Sequence, residues 1–187
     1  MAAYLNLIFM QDNRVLDYIK NVLHEMPTDW LNLTTHRLDI YNEPLAKTQF
    51  LEKFEYLFLA NNFSGAALKQ LPTAYDYIRL GHPLSCLLEW AIAKSNNVKA
   101  NNVISFSSHA MPVLAVLRKN LLAKKNTQIL YSDKLPSSFN ADLFKRIYGY
   151  KFEIGQIESA EDVAAFDGST IFLSNQEKVA IDRKSVV

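Results

Sequence analysis

Between Val103 and Leu173 the hydrophobic pattern switches repeatedly between a strand-like and a helix-like period, with short gaps, and few folds tolerate that alternation. Val103-Ile104-Ser105-Phe106 predicts a buried strand. Ala110 to Ala123 predicts a helix with Ala110, Leu114, Leu117 and Leu121 on one stripe, and Pro112 is tolerated in its first turn. Gln128-Ile129-Leu130-Tyr131 predicts the next strand. Ser137 to Tyr148 then places Phe139, Leu143 and Ile147 at i, i+4 and i+8, with Gly149 as a stop signal. Tyr150, Phe152 and Ile154 alternate as a strand does. Ala160 to Phe166 predicts a short helix, with Ser159 as N-cap and Asp162 three residues on, close to a capping box. Thr170 to Leu173 ends the series. Four strands joined by such short crossovers predict an α/β fold: a three-layer arrangement with a mostly parallel sheet and helices on both faces.

The N-terminal portion is more helical. Val15, Leu16, Ile19, Val22 and Leu23 form one stripe, ended near Pro27, and Phe50, Leu51, Phe54, Leu57 and Phe58 form another. Trp30 to Tyr41 alternates only partly and is read as a strand. After Gly81-His82-Pro83 a helix runs through Leu87, Leu88, Ala91 and Ile92, with Pro83 suited to the first helical position. Ser95-Asn96-Asn97 reads as its exit, because short polar side chains compete for backbone hydrogen bonds. No linker or repeat interrupts the chain. The organisation expected is one α/β unit over residues 1–187: a helical portion 1–75, an α/β region 76–174 and a tail 175–187.

A length of 187 residues suffices for one well-buried core. Lys and Arg total 20 against 19 Asp and Glu, so no global field favours nucleic acid or an anionic membrane surface. The 5 glycines are few and dispersed, which excludes clustered-glycine dinucleotide and phosphate loops. Cys86 is the single cysteine; it excludes an intramolecular disulfide and every multi-cysteine zinc motif, and favours a reducing, cytoplasmic setting. The N-terminal apolar run, Tyr4 to Met10, lacks a basic n-region, and no apolar stretch approaches the ~20 residues of a membrane helix.

Chemistry-bearing residues are scattered. Among His24, His36, His82 and His109 only His82 forms an i, i+4 pair with another ligand type, Cys86, and two ligands do not make a closed zinc site. No metal site is expected. Cys86 reads as a small helix-face residue, since a nucleophile needs a neighbouring base. Glu158, Glu161 and Asp162 read as a solvated helix start, and Lys124-Lys125 as a helix end. Ser105-Phe106-Ser107-Ser108-His109-Ala110 differs, because hydroxyls and N–H groups meet there at a strand-to-helix junction where an anion can bind. The competing reading is that Ser107 or Ser108 simply caps the helix.

The order of several segments resembles the pyridoxal-phosphate (PLP) enzymes of cysteine and methionine metabolism, the cystathionine synthases and lyases. The residues that carry it are Tyr77-Ile78-Arg79-Leu80-Gly81-His82-Pro83, Leu88-Glu89, Ala91-Ile92-Ala93, Phe106-Ser107-Ser108, Leu114 to Arg118 and Ser132-Asp133, within about 77–173. The resemblance implies a type I aminotransferase-like large domain that works as a dimer. It implies that Tyr77 and Arg79 reach a neighbour's cofactor phosphate, while Ser107, Ser108 and His109 cradle it from the other chain. A guanidinium offers phosphate paired donors at fixed angles.

The departures shape the functional expectation. His109 stands where that family has glycine, and Pro136 where it has the tyrosine that stacks on the cofactor ring. The family's pyridine-binding aspartate and Schiff-base lysine lie beyond the strand at Thr170 to Leu173, and Lys178 and Lys184 follow that strand too closely to take the lysine's place. The expectation is therefore a non-catalytic relative, with no catalytic residue and no cofactor in use, acting by association as a homodimer or with a full-length PLP-enzyme-like partner. The alternative is a PLP-dependent lyase or transferase of sulfur amino-acid metabolism of which this chain is the N-terminal part, with PLP at the site named above.

Overall fold

A computed structural model describes residues 2–31, 47–72 and 82–175, with the side chains of 2–12 and 160 left aside. It is a mixed α/β structure that divides into two compact units, Met1–Ser105 and Phe106–Val187. No helix among the described residues is long and apolar enough to cross a membrane.

The first unit is helical: α1 (Ala2–Glu25), α2 (Gln49–Leu59), α3 (Gly65–Lys69) and α4 (Pro83–Ser95), with 3-10 turns at Thr28–Leu31 and Ala100–Asn102. The stripe of α1 is turned from the expected one. Val15, Tyr18 and Val22 are buried, whereas Leu16 and Leu23 are 52% and 46% exposed. Tyr18 takes the inner position because its ring packs on Phe54, Phe58 and Trp90 while its hydroxyl donates to the Asn62 carbonyl at 2.8 Å. α2 buries Phe50, Leu51, Phe54 and Phe58 as its spacing requires. Trp90 of α4 stands edge-on to Phe54 and Phe58 at centroid distances of 5.1 and 4.9 Å, the geometry that aromatic quadrupoles prefer. Pro83 opens α4 and Asn96 closes it, as read from the sequence. Trp30 and Leu31 lie in a 3-10 turn rather than a strand, and 32–41 lie outside the described residues.

The strand expected at Val103–Phe106 is absent among the described residues. The chain is extended there, with Val103 at φ −114° and ψ 130°, but side chains rather than a neighbouring strand satisfy its backbone. Lys47 donates to the Val103 carbonyl at 2.8 Å, and the Ser105 N–H donates to Glu89 at 2.7 Å.

The second unit contains α5 (Met111–Leu122), β1 (Thr127–Tyr131), α6 (Ala141–Tyr148), β2 (Glu153–Gln156), a 3-10 turn at Ala160–Asp162 and β3 (Ser169–Leu173). Its sheet is parallel, in the order β2-β1-β3, with Ile129 opposite Ile154 and Ile171. Val113 and Leu117 of α5, Phe144 of α6, Ile129, Tyr150 and Phe152 form the core, joined by partly buried Ile171 and Leu173. A buried bond from Asn120 to Thr127, 2.9 Å, ties α5 to β1. Among the described residues the sheet thus has three strands, not the four expected.

Two helices are shorter than their patterns suggest. α6 starts at Ala141 rather than Ser137 because the Asn140 side chain accepts the Leu143 N–H at 2.8 Å and fixes the cap there. It ends as expected, with Gly149 left-handed at φ +68°. The helix expected over 160–166 is one 3-10 turn. Its cap forms, with Asp162 accepting from the Ser159 N–H and Ser159 Oγ from the Glu161 N–H. The chain then leaves to meet Asn126, which takes the Ser169 N–H on its carbonyl and donates its amide to Asp167.

Candidate functional site

Of the five residues expected to form a phosphate site, Tyr77 and Arg79 lie outside the described residues. Ser107, Ser108 and His109 form the bend that leads into α5. Ser107 and His109 are exposed, and the half-buried Ser108 turns its hydroxyl onto the Ala110 N–H at 3.4 Å. Ala110, the N-cap, has no side chain to accept from the first turn, and Pro112 removes one N–H donor. A phosphate cup needs several N–H groups aimed at one point. With the Ala110 N–H occupied, Pro112 lacking a donor and a Cβ at His109, the described part of this bend does not fit the phosphate of PLP.

The His82–Cys86 pair falls at the start of α4. His82 caps the helix, its Nδ1 accepting the Leu84 N–H at 3.2 Å, while its Nε2 is buried and without a hydrogen-bond partner among the described residues. Cys86 is buried, and its thiol pKa is pushed from 9.0 up to about 12, chiefly by burial and then by the negative charge of Glu89, with Lys47 opposing. A thiol so placed carries almost no thiolate near neutral pH. No group of three or more metal-ligating side chains converges among the described residues.

A dense polar arrangement among the described residues is one that sequence reasoning missed. Glu89 is 6% exposed, and its carboxylate receives Lys47 Nζ at 2.6 Å, the Ser105 N–H at 2.7 Å and Ser105 Oγ at 3.0 Å. Lys47 reaches on to the Val103 carbonyl at 2.8 Å. Every strong acceptor or donor at the centre of this cluster is bonded, so it acts as a clasp that holds the end of the first unit against α4. One signal was legible: Glu89 interrupts the buried stripe of Cys86, Leu87, Trp90 and Ala93, where an acid is rare unless paired. Its partner Lys47 stands 42 residues away, and no spacing rule connects the two.

A second charged group lies between α2 and α4. Glu55 accepts from Trp90 Nε1 at 2.7 Å and from Lys94 Nζ at 2.6 Å. These residues belong to an open groove of about 720 Å³, whose lining includes Leu51, Ala93, Val98 and Lys99. Tyr56 and Leu59, 72% and 61% exposed, rise from its α2 side. The helical pattern of α2 places Leu51 on the buried stripe and gives no role to Tyr56 or Leu59, because a helical wheel marks a buried face and not a groove beside it. The chain matches no family model, no curated protein and no solved structure.

Proposed function

We propose that this protein works by association rather than by catalysis, as a cytoplasmic α/β protein whose region 76–174 is a degenerate relative of the three-layer PLP-transferase large domain. The observation that carries the reading is the groove between α2 and α4, where large apolar side chains stand exposed beside a bonded, charged floor. The relationship to PLP enzymes is supported by the parallel β1–α6–β2 crossover and by the Phe106-Ser107-Ser108 bend placed just before α5. Tyr77 and Arg79 would then serve an interface, in which a guanidinium meets an anion or carboxylate of the associated chain.

Sedimentation of the purified chain over a micromolar range, together with co-purification from the native host, tests the reading. A self-associated species or a stoichiometric partner is expected; a strict monomer that retains no partner overturns it. Saturating PLP is expected to leave the absorbance unchanged. A new band near the visible edge that Arg79→Ala abolishes would instead assign a cofactor-binding enzyme.

A further inference from the structure

We propose that the groove between α2 and α4 is the face on which a second copy of this chain docks, about a two-fold axis running along the groove. The inference rests on the association reading and names its surface and partner. Glu52, Tyr56 and Leu59 follow one another at i, i+4 and i+7 and so share one stripe of α2. Lys99 lies on the opposite wall, in the turn after α4, beside Val98.

The floor charges are already matched, since Glu55 and Lys94 bind each other. Glu52 and Lys99 are exposed and have no ion-pair or hydrogen-bond partner among the described residues. An isologous interface must be complementary to itself. A two-fold axis along the groove sets the α2 wall of one copy over the Lys99 wall of the other. Each Glu52 then faces a Lys99, twice over, and Tyr56 and Leu59 of each copy enter the other's groove. A wholly acidic or wholly basic rim would repel its own copy; among the described residues this rim carries one unmatched charge of each sign on opposite walls. Exposed tyrosine suits such a contact, because it offers large area with few rotatable bonds.

Charge exchange on the full chain tests the pairing, with far-UV circular dichroism as the control for folding. Glu52→Lys and Lys99→Glu are each expected to weaken the dimer roughly tenfold in sedimentation equilibrium, because each substitution creates two like-charge contacts. The double variant, Glu52→Lys with Lys99→Glu, is expected to regain the original dissociation constant. Equimolar mixing of the two single variants is expected to yield a heterodimer close to the original strength, because both cross-chain contacts then join opposite charges, and a mixture no tighter than either variant alone overturns the pairing. A dimer indifferent to all three variants overturns this surface while leaving the association reading intact. A wild-type chain that is monomeric at 100-micromolar order overturns the second-copy inference, and the association reading then stands or falls on the co-purified partner alone.

Discussion

At the residue scale, Glu89 decides more than any other side chain described. A carboxylate that is nearly buried needs cations and N–H donors in place of its water, and here Lys47 and Ser105 supply them. Glu89→Ala would leave the Lys47 ammonium and the Ser105 N–H without their acceptor. The expected loss is about 3 kcal/mol in urea unfolding, and Glu89→Gln should lose less because it retains an acceptor for Ser105. Equal stability of the Ala variant and the wild type would show that the clasp holds nothing. Cys86 gives a second residue-level expectation. Its folded pKa of about 12 lies above the ordinary 9.0, so its contribution to stability is complete below pH 9 and is lost as pH rises toward 12. A maleimide at neutral pH should label it slowly in the folded protein and fully in urea. Prompt labelling without denaturant would contradict its burial.

At the element scale, helix ends and turns are controlled by single residues whose removal should be measurable. Asn140→Ala removes the cap of α6 and is expected to lower stability by about 1 kcal/mol in a urea titration. Gly168→Ala should be worse, because a Cβ there would run into the Asn126 backbone and the Phe166 ring. A Gly168→Ala variant as stable as wild type would mean that the turn relaxes freely. These cases explain what the sequence made legible. Patterns with their own local chemistry survive: Pro83 and Asn96 bound α4, Gly149 ends α6, and Gln128 to Tyr131 forms a strand. The misreadings occur where a distant group competes. Val103 to Phe106 has the composition of a strand, yet Lys47 and Glu89 satisfy its backbone from elsewhere in the chain. The 160–166 segment has a helix cap, yet Asn126 draws the following residues toward β3. Candidate-site legibility was lower still, because the Glu52 and Lys99 pairing belongs to a surface, and a surface has no period along the chain.

At the scale of the whole molecule, the division at Ser105 predicts where the native chain is vulnerable. Residues 106–110 form a bend rather than a helix or strand, and Phe106 is 43% exposed. Brief chymotrypsin treatment should cut first after Phe106, and mass spectrometry should find fragments 1–106 and 107–187. First cleavage within α2 would place the weak point elsewhere. The order of the sheet has a different consequence, for biosynthesis. β1 is the central strand but the earliest of the three to be made, so Thr127–Tyr131 leaves the ribosome with both edges bare. One edge waits for Glu153–Gln156 and the other for Ser169–Leu173. Over that interval an apolar Ile-Leu-Tyr edge is open to any neighbouring nascent chain, and a fragment ending before Ser169 keeps it open for good. Such fragments should therefore be lost to aggregation during expression before any question of their function arises.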